Sequence, residues 1–283
     1  MPLVIIDCLT LASGRVNEDR AGAAHNFVWV IDGATDVVAR PLTGATTDAD
    51  WFAQHLDAAL AALSASPPAD LSQLPDLTAA QLAAEFASAA RRAPIDKTEH
   101  PSASAIVVRA CGIGIDYVSA GDCTLIAEGS AGFVRVGVDD TSAGDPQLAT
   151  ALAALHAKHG GLEAEAARSR IWPSIKAGRA AMNEPGGYGV FSITPTPRHF
   201  VRAGQIAMAA GGHVLLASDG LMRLVDVFGL YTAPGLLMAA RKDGLAPLMR
   251  VLRTAECDDA RGHQFPRAKV HDDATGLLLH WLP

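Results

Sequence analysis

Two stretches of the chain share one pattern, an apolar run that ends in an acid and a glycine. Residues 27–31, FVWVI, carry no polar break and lead into Asp32-Gly33. Residues 213–220, HVLLASDG, repeat the arrangement. A short continuous apolar run is a strand buried on both faces. A carboxylate at its end is held rigidly and points into whatever cleft lies there, and the glycine after it lets another group come close to its backbone. Taken singly, Asp-Gly between strands signals a hairpin turn. The recurrence weighs against that reading, as does the helical spacing of LMRLVDVFGL after Gly220. Asn17-Glu18-Asp19 follows the first strand, and His271-Asp272-Asp273 stands before the apolar run 274–281. Four acidic points at strand ends repel one another unless their pKa values rise or cations bind. Oxygen-only ligands select hard ions, Mg²⁺ or Mn²⁺.

The same patterning predicts the remaining elements. Residues 3–9 form a strand rich in β-branched positions, and residues 37–40 return as a strand after the one at 26–31. Thr47 caps a helix whose first turn carries Asp48 and Asp50. A loop with three prolines spans 64–75, and a second amphipathic helix spans 79–92. Short strands at 104–108, 114–119, 123–128 and 133–138 read as an antiparallel meander. Helices are expected at 147–159 and 163–182, the latter broken at Pro173. After the glycine-rich break 183–188 come strands at 189–193, 206–210 and 214–218, the last two as a pair. Helices at 236–242 and 245–256 precede a final strand at 274–281. Strands in runs and helices in separate groups give an α+β fold of antiparallel sheets covered by helices.

Composition narrows the classes. The chain has 283 residues, 49% of them hydrophobic, which suits one large domain or two small ones. Its net charge is −7, and the absence of a basic run argues against nucleic acid. The four cysteines show no CxxC spacing, which suits a reducing, cytoplasmic setting. No segment reads as a signal peptide or a membrane span.

The ordered set Asn17-Glu18-Asp19-Arg20, Val30-Ile31-Asp32-Gly33, Ser102-Ala103-Ser104-Ala105, Ser119-Ala120-Gly121-Asp122, Leu216-Ala217-Ser218-Asp219-Gly220 and Asp272-Asp273-Ala274-Thr275 resembles the metal-dependent serine/threonine protein phosphatases of type 2C. The resemblance spans nearly the whole chain. It implies a single domain with a four-layer αββα sandwich and a flap at about 160–190 beside the active site. It also implies a monomeric enzyme that hydrolyses phosphoserine and phosphothreonine in proteins. Two Mg²⁺ or Mn²⁺ ions would activate water. Asp32 would bridge them, the Gly33 carbonyl would ligate one, and Asp219 and Asp272 would complete the ligands of the second ion. Asp19 and Glu18 would sit among or beside the direct metal ligands and orient metal-bound water. Asp122 with Asp219 would hold a third, weaker ion. Where some members carry a histidine two residues after the bridging aspartate, this chain has Ala34. The family's phosphate-binding arginine lies four residues before the glutamate; here Arg15 lies three before Glu18, with Arg20 in reserve.

Two other functions fit the same residues. One is a silent relative that binds a partner, against which the intact Asp32, Asp219 and Asp272 speak. The other is a hydrolase of small phosphomonoesters, which sequence does not separate from the first because substrate surfaces lie in loops. His271 adjoins Asp272 and would orient it. His213, Cys8, Cys123 and Ser104 read as packing residues.

Overall fold

The computed structural model describes residues 3–38, 40–137 and 164–282 together with Ala154 and Ala157, without the side chains of residues 164–168. Strand β3 (Phe27–Gly33) has helices on one face and a sheet on the other. Its residues Phe27, Trp29 and Ile31 pack with Trp51, Phe52, Leu56 and Leu60 of helix α1 (Asp48–Ser64) and with Leu82 and Phe86 of helix α2 (Leu74–Ala89). The alternate residues Val28 and Val30 pack against a second sheet, through Leu125, Val214, Leu216, Leu277 and Leu279. Both faces are apolar because both are covered. The period of two along a strand puts Asp32 on the Val28–Val30 side, at one end of the space between the sheets.

The first sheet runs β2 (Asp19–Ala24), β3, β4 (Ser102–Cys111), β5 (Gly114–Ala120) and β9 (Arg202–Ala207), and the two-residue β8 (Phe191–Ser192) pairs with β4. The second runs β1 (Leu3–Leu11), β11 (Ala274–Trp281), β10 (His213–Ala217), β6 (Thr124–Gly129) and β7 (Gly132–Val136). Every pairing within the two sheets is antiparallel. Helix α3 (Ala164–Ala180) lies between β7 and β8 in the chain. Helices α4 (Asp219–Asp226), α5 (Ala233–Asp243) and α6 (Leu245–Asp258) cover the outer face of the second sheet, where Leu221, Leu224, Leu236, Leu237, Leu248 and Leu252 meet Leu215 and Leu278. The result is the four-layer αββα sandwich expected of the sequence.

Several local expectations change. The described residues Val37, Val38 and Arg40 do not form the strand expected at 37–40. Asp36 accepts the backbone N–H groups of Asp48 and Ala49 at 2.7 and 3.1 Å and turns the chain toward α1 instead. The strand beside β3 is β2, whose small residues give little strand signal and whose pairing with β3 supplies the structure. The expected meander divides between the sheets. β4–β5 is a hairpin of one, β6–β7 a hairpin of the other, and the chain crosses at Gly121-Asp122. Likewise β9 and β10 are not partners but belong to different sheets. Helix α3 runs through Pro173 without a break, and the strand expected at 189–193 shrinks to β8. Cys8 is exposed on the edge strand β1, whereas Cys123 is fully buried. The helix expected at 147–159 falls outside the described residues apart from Ala154 and Ala157, both helical. Thr47 caps α1 as expected, accepting the Asp50 N–H at 3.0 Å.

At the β10–α4 junction the backbone of Gly220 lies against the start of β11. A Cβ there would stand 1.9 Å from the Asp273 carbonyl oxygen, and neither backbone segment can move aside. Gly220→Ala therefore lowers stability by about 3 kcal/mol, the upper range for overpacking. Gly14, which has no neighbour within 4 Å of such an atom, tolerates alanine with little change. Thermal melts of the two variants check the contrast.

Candidate active site

Strands from both sheets deliver carboxylates to one end of the inter-sheet space. Asp19 and Asp32 stand directly opposite one another on β2 and β3, an arrangement that is repulsive when both are ionised. Asp32-Gly33 is no hairpin turn, because both residues still pair with β4, opposite Ser104 and Ala103. Gly33 must be small, since the Glu18 carbonyl oxygen would lie 2.8 Å from an added Cβ. The Ser104 hydroxyl oxygen accepts the backbone N–H groups of Asp122 and Cys123 at 2.7 and 2.6 Å, fixing the crossover that carries Asp122. Asp219 opens α4 directly after β10, and Asp272 precedes β11. Ser218 joins the two sheets here. Its hydroxyl donates to Asp19 Oδ2 at 2.8 Å and accepts the Thr275 N–H at 2.9 Å. Asp273 accepts the N–H groups of Ser13 and Glu18, each at 2.6 Å, and holds the β1–β2 loop against the strand.

Burial and mutual repulsion raise these acids. Asp19 rises to about 7, first from loss of water and then from Asp219 and Asp273, against hydrogen bonds from Ser218 and Thr275. Asp32 lies well above the usual carboxylate range because it is buried and faces Asp19, Asp219, Asp122 and Asp272. Asp219 also rises to about 7, through burial and then Asp272 and Asp122. Asp122 and Glu18 are raised chiefly by burial.

Asp272 behaves differently. Burial pushes it up, but Lys269 and Arg223 outweigh burial and leave it below its ordinary value. Lys269 Nζ donates to Asp272 Oδ1 at 2.7 Å and to the Thr35 hydroxyl at 2.8 Å. Arg223 donates to Asp272 Oδ2 at 2.6 Å and to Glu256, a fully buried acid, at 2.8 Å. His271 turns to Glu256 at 2.9 Å, an acid that Arg223 and Arg253 link to Asp272. Arg20 donates to the carbonyls of Asn17 and Asp19, both at 2.7 Å, and pairs with Asp50. Arg15 is exposed on the β1–β2 loop and does not line the cavity.

That cavity, about 540 Å³, has Asp32, Asp122, Asp219 and Asp272 at one end. Trp172, Ile175, Tyr188, Val190 and Phe200 line it elsewhere. Arg179, near the end of α3, donates to Ser102 Oγ at 2.8 Å and to the carbonyls of Ala34 and Thr35 at 3.1 and 2.7 Å. It pins α3 to the loop after Asp32. Arg202, also at the cavity, donates to the Gly121 carbonyl.

No protein-family model matches the chain, and no curated protein does. Solved structures do. The serine/threonine phosphatase PstP/Ppp of Mycobacterium tuberculosis is 15% identical over 99% of each chain, with a TM-score of 0.56. The catalytic domain of PstP in complex with two manganese ions is 18% identical over 99% of each chain, with a TM-score of 0.54. The serine/threonine phosphatase of S. agalactiae is 15% identical over 99% of this chain and 100% of its own, with a TM-score of 0.54. The chain has the fold of the PPM-type serine/threonine phosphatases. Within that PPM fold, the sequence expectations did not include Lys269 or Arg223, and took Ser104 as packing alone. The lysine's spacing of three residues before Asp272 was the available signal.

An all-oxygen donor set suits a hard divalent ion. Asp19 Oδ1 is buried and has no hydrogen-bond partner, and Asp32 and Asp219 are buried acids that repel one another. Among the described residues no three His, Cys, Asp or Glu side chains enclose an ion by themselves. Mg²⁺ and Mn²⁺ keep several waters and need few protein ligands. The residues therefore fit a hydrated ion.

The raised pKa of Asp19 has a sign that can be measured. The folded value is about 7, against roughly 3.9 when unfolded. Between those pH values the folded chain holds a proton that the unfolded chain has released, so stability falls as pH rises through the window and levels off above it. Asp19→Asn cannot titrate. In chelator, its stability relative to the parent should rise by about 2 kcal/mol between pH 5 and pH 8. Melts across that range check this, and a constant difference would contradict it.

Proposed function

We propose that this protein is a metal-dependent phosphatase acting on phosphoserine and phosphothreonine in proteins. The observation that carries the reading is the meeting of Asp19, Asp32, Asp122, Asp219 and Asp272 from two sheets, with a buried oxygen of Asp19 left without a partner. Asp19, Asp32 and the Gly33 carbonyl would hold one ion. Asp219 and Asp272 would hold a second beside Asp32, and Asp122 with Asp219 a third, weaker one. The PstP neighbour with two manganese ions supports a count of two. When bound, such ions neutralise phosphoryl oxygens and acidify water. The chain's own residues do the rest. Ser218 and Thr275 fix Asp19, Ser104 fixes the Asp122 turn, and Arg179 holds the wall formed by α3. With Ala34 two residues after Asp32, no histidine from that position donates a proton to the leaving group. No helix among the described residues is long and apolar enough to cross a membrane, and we place the enzyme in the cytoplasm as a monomer.

A second reading has its own observation. A cavity of about 540 Å³ lies within the range that takes a whole small ligand, and part of its wall is aromatic. A small phosphomonoester would fill it more completely than a phosphoserine side chain. Parallel assays on a phosphopeptide panel and on small aryl and alkyl phosphates separate the two, and a preference of a hundredfold or more for either class settles the choice.

Asp219→Asn tests the shared core of both readings. The amide keeps the shape and removes the charge that a cation needs, so p-nitrophenyl phosphate hydrolysis in Mn²⁺ falls by about a thousandfold or more, roughly 4 kcal/mol in the barrier. Mn²⁺ raises the melting temperature of the parent by mass action and that of the variant much less. An equal gain in both removes Asp219 from the ligand set. Activity in the parent that survives excess chelator removes the metals from the reaction.

A further inference from the structure

The acidic site is uneven. On one side, Asp19 Oδ1 is buried without a partner, and Asp32 stands directly opposite Asp19 on the paired strand. On the other, both oxygens of Asp272 are already taken by the chain's own cations, Oδ1 by Lys269 at 2.7 Å and Oδ2 by Arg223 at 2.6 Å. The two cations differ in how firmly they are held. Arg223 is itself buried and also holds Glu256, whose side chain has no exposure, so moving it would break a second, buried ion pair. Lys269 keeps 30% of its side chain exposed and lines the cavity. Its other hydrogen bond goes to the Thr35 hydroxyl, which a water can replace. Its ammonium is a point charge on a flexible stem, suited to moving a few ångströms.

Resting on the reading of this cluster as a divalent-ion site, we infer that Lys269 is a resident cation at Asp272. A first ion goes to the Asp19–Asp32 side, where negative charge is unsatisfied, and a second reaches Asp272 only by displacing Lys269. The chain is thus a one-ion protein at low metal concentration and a two-ion protein at high concentration. A structural lysine would leave the metal count untouched.

The probe is Mn²⁺ alone, titrated into metal-free protein at pH 7.5, with free ion counted by electron paramagnetic resonance and heats by calorimetry. The parent should take one ion tightly and a second at least about tenfold more weakly. Lys269→Met should tighten the weak step by about tenfold or more and leave the tight step in place, because it removes a like charge beside the incoming ion. Lys269→Gln serves the same purpose if the methionine variant does not fold. Lys269→Arg, which keeps the charge, should resemble the parent. Two steps of equal affinity in the parent overturn the inference, as does a weak step that Lys269→Met and Lys269→Gln leave unmoved. Absence of any Mn²⁺ uptake by the parent overturns the ion-site reading itself, and the inference with it.

Discussion

Repulsion among carboxylates that two sheets bring to one point governs this structure. Strand pairing sets Asp19 against Asp32, and the crossover and the β10–α4 junction add Asp122 and Asp219. Acids so placed in a poorly hydrated space are stable only when protonated, paired or coordinated. The chain uses the first two means unequally. Burial and mutual repulsion favour protonation on the Asp19–Asp32–Asp219 side, and Lys269 and Arg223 quiet the Asp272 side. The apolar layers on either side supply the stability against which this concentrated charge is held, much as functional sites elsewhere are maintained at the expense of local stability.

The rigidity of the site follows from the same layers. β3 is covered on one face by α1 and α2 and on the other by the second sheet, so its end has little freedom. Ser218 ties that end to β10 and β11 through Asp19 and Thr275. A small hydroxyl thus fixes the relative position of two sheets where their charges meet. An alanine at that position would leave Asp19 Oδ2 and the Thr275 N–H without this partner.

Much of this was legible in the sequence. Apolar runs that end in Asp-Gly located β3 and β10, and the final strand at 274–281 was placed with its observed bounds, because buried strands write continuous apolar text. Strand partnership was not legible. β9 and β10 follow one another and look like a pair, yet periodicity carries no information about which sheet a strand joins. β2, with the sequence DRAGAA, is a strand because β3 pairs with it. Among candidate site residues, the acids could be named from position alone. Their neighbours could not, because Lys269 and Arg223 acquire meaning only when the loop and helix that carry them fold back on Asp272.

The anchoring of α3 bears on how such a scaffold diversifies. Arg179 grips Ser102 and the carbonyls of Ala34 and Thr35, which are the residues immediately beyond Asp32-Gly33. The wall of the cavity and the strand end bearing the central carboxylate are therefore one mechanical unit. Grafting a foreign segment in place of 164–190 would change more than the shape of the wall. Unless the graft brought an equivalent guanidinium, the loop after Asp32 would lose its clamp, and altered selectivity would arrive together with a loosened centre.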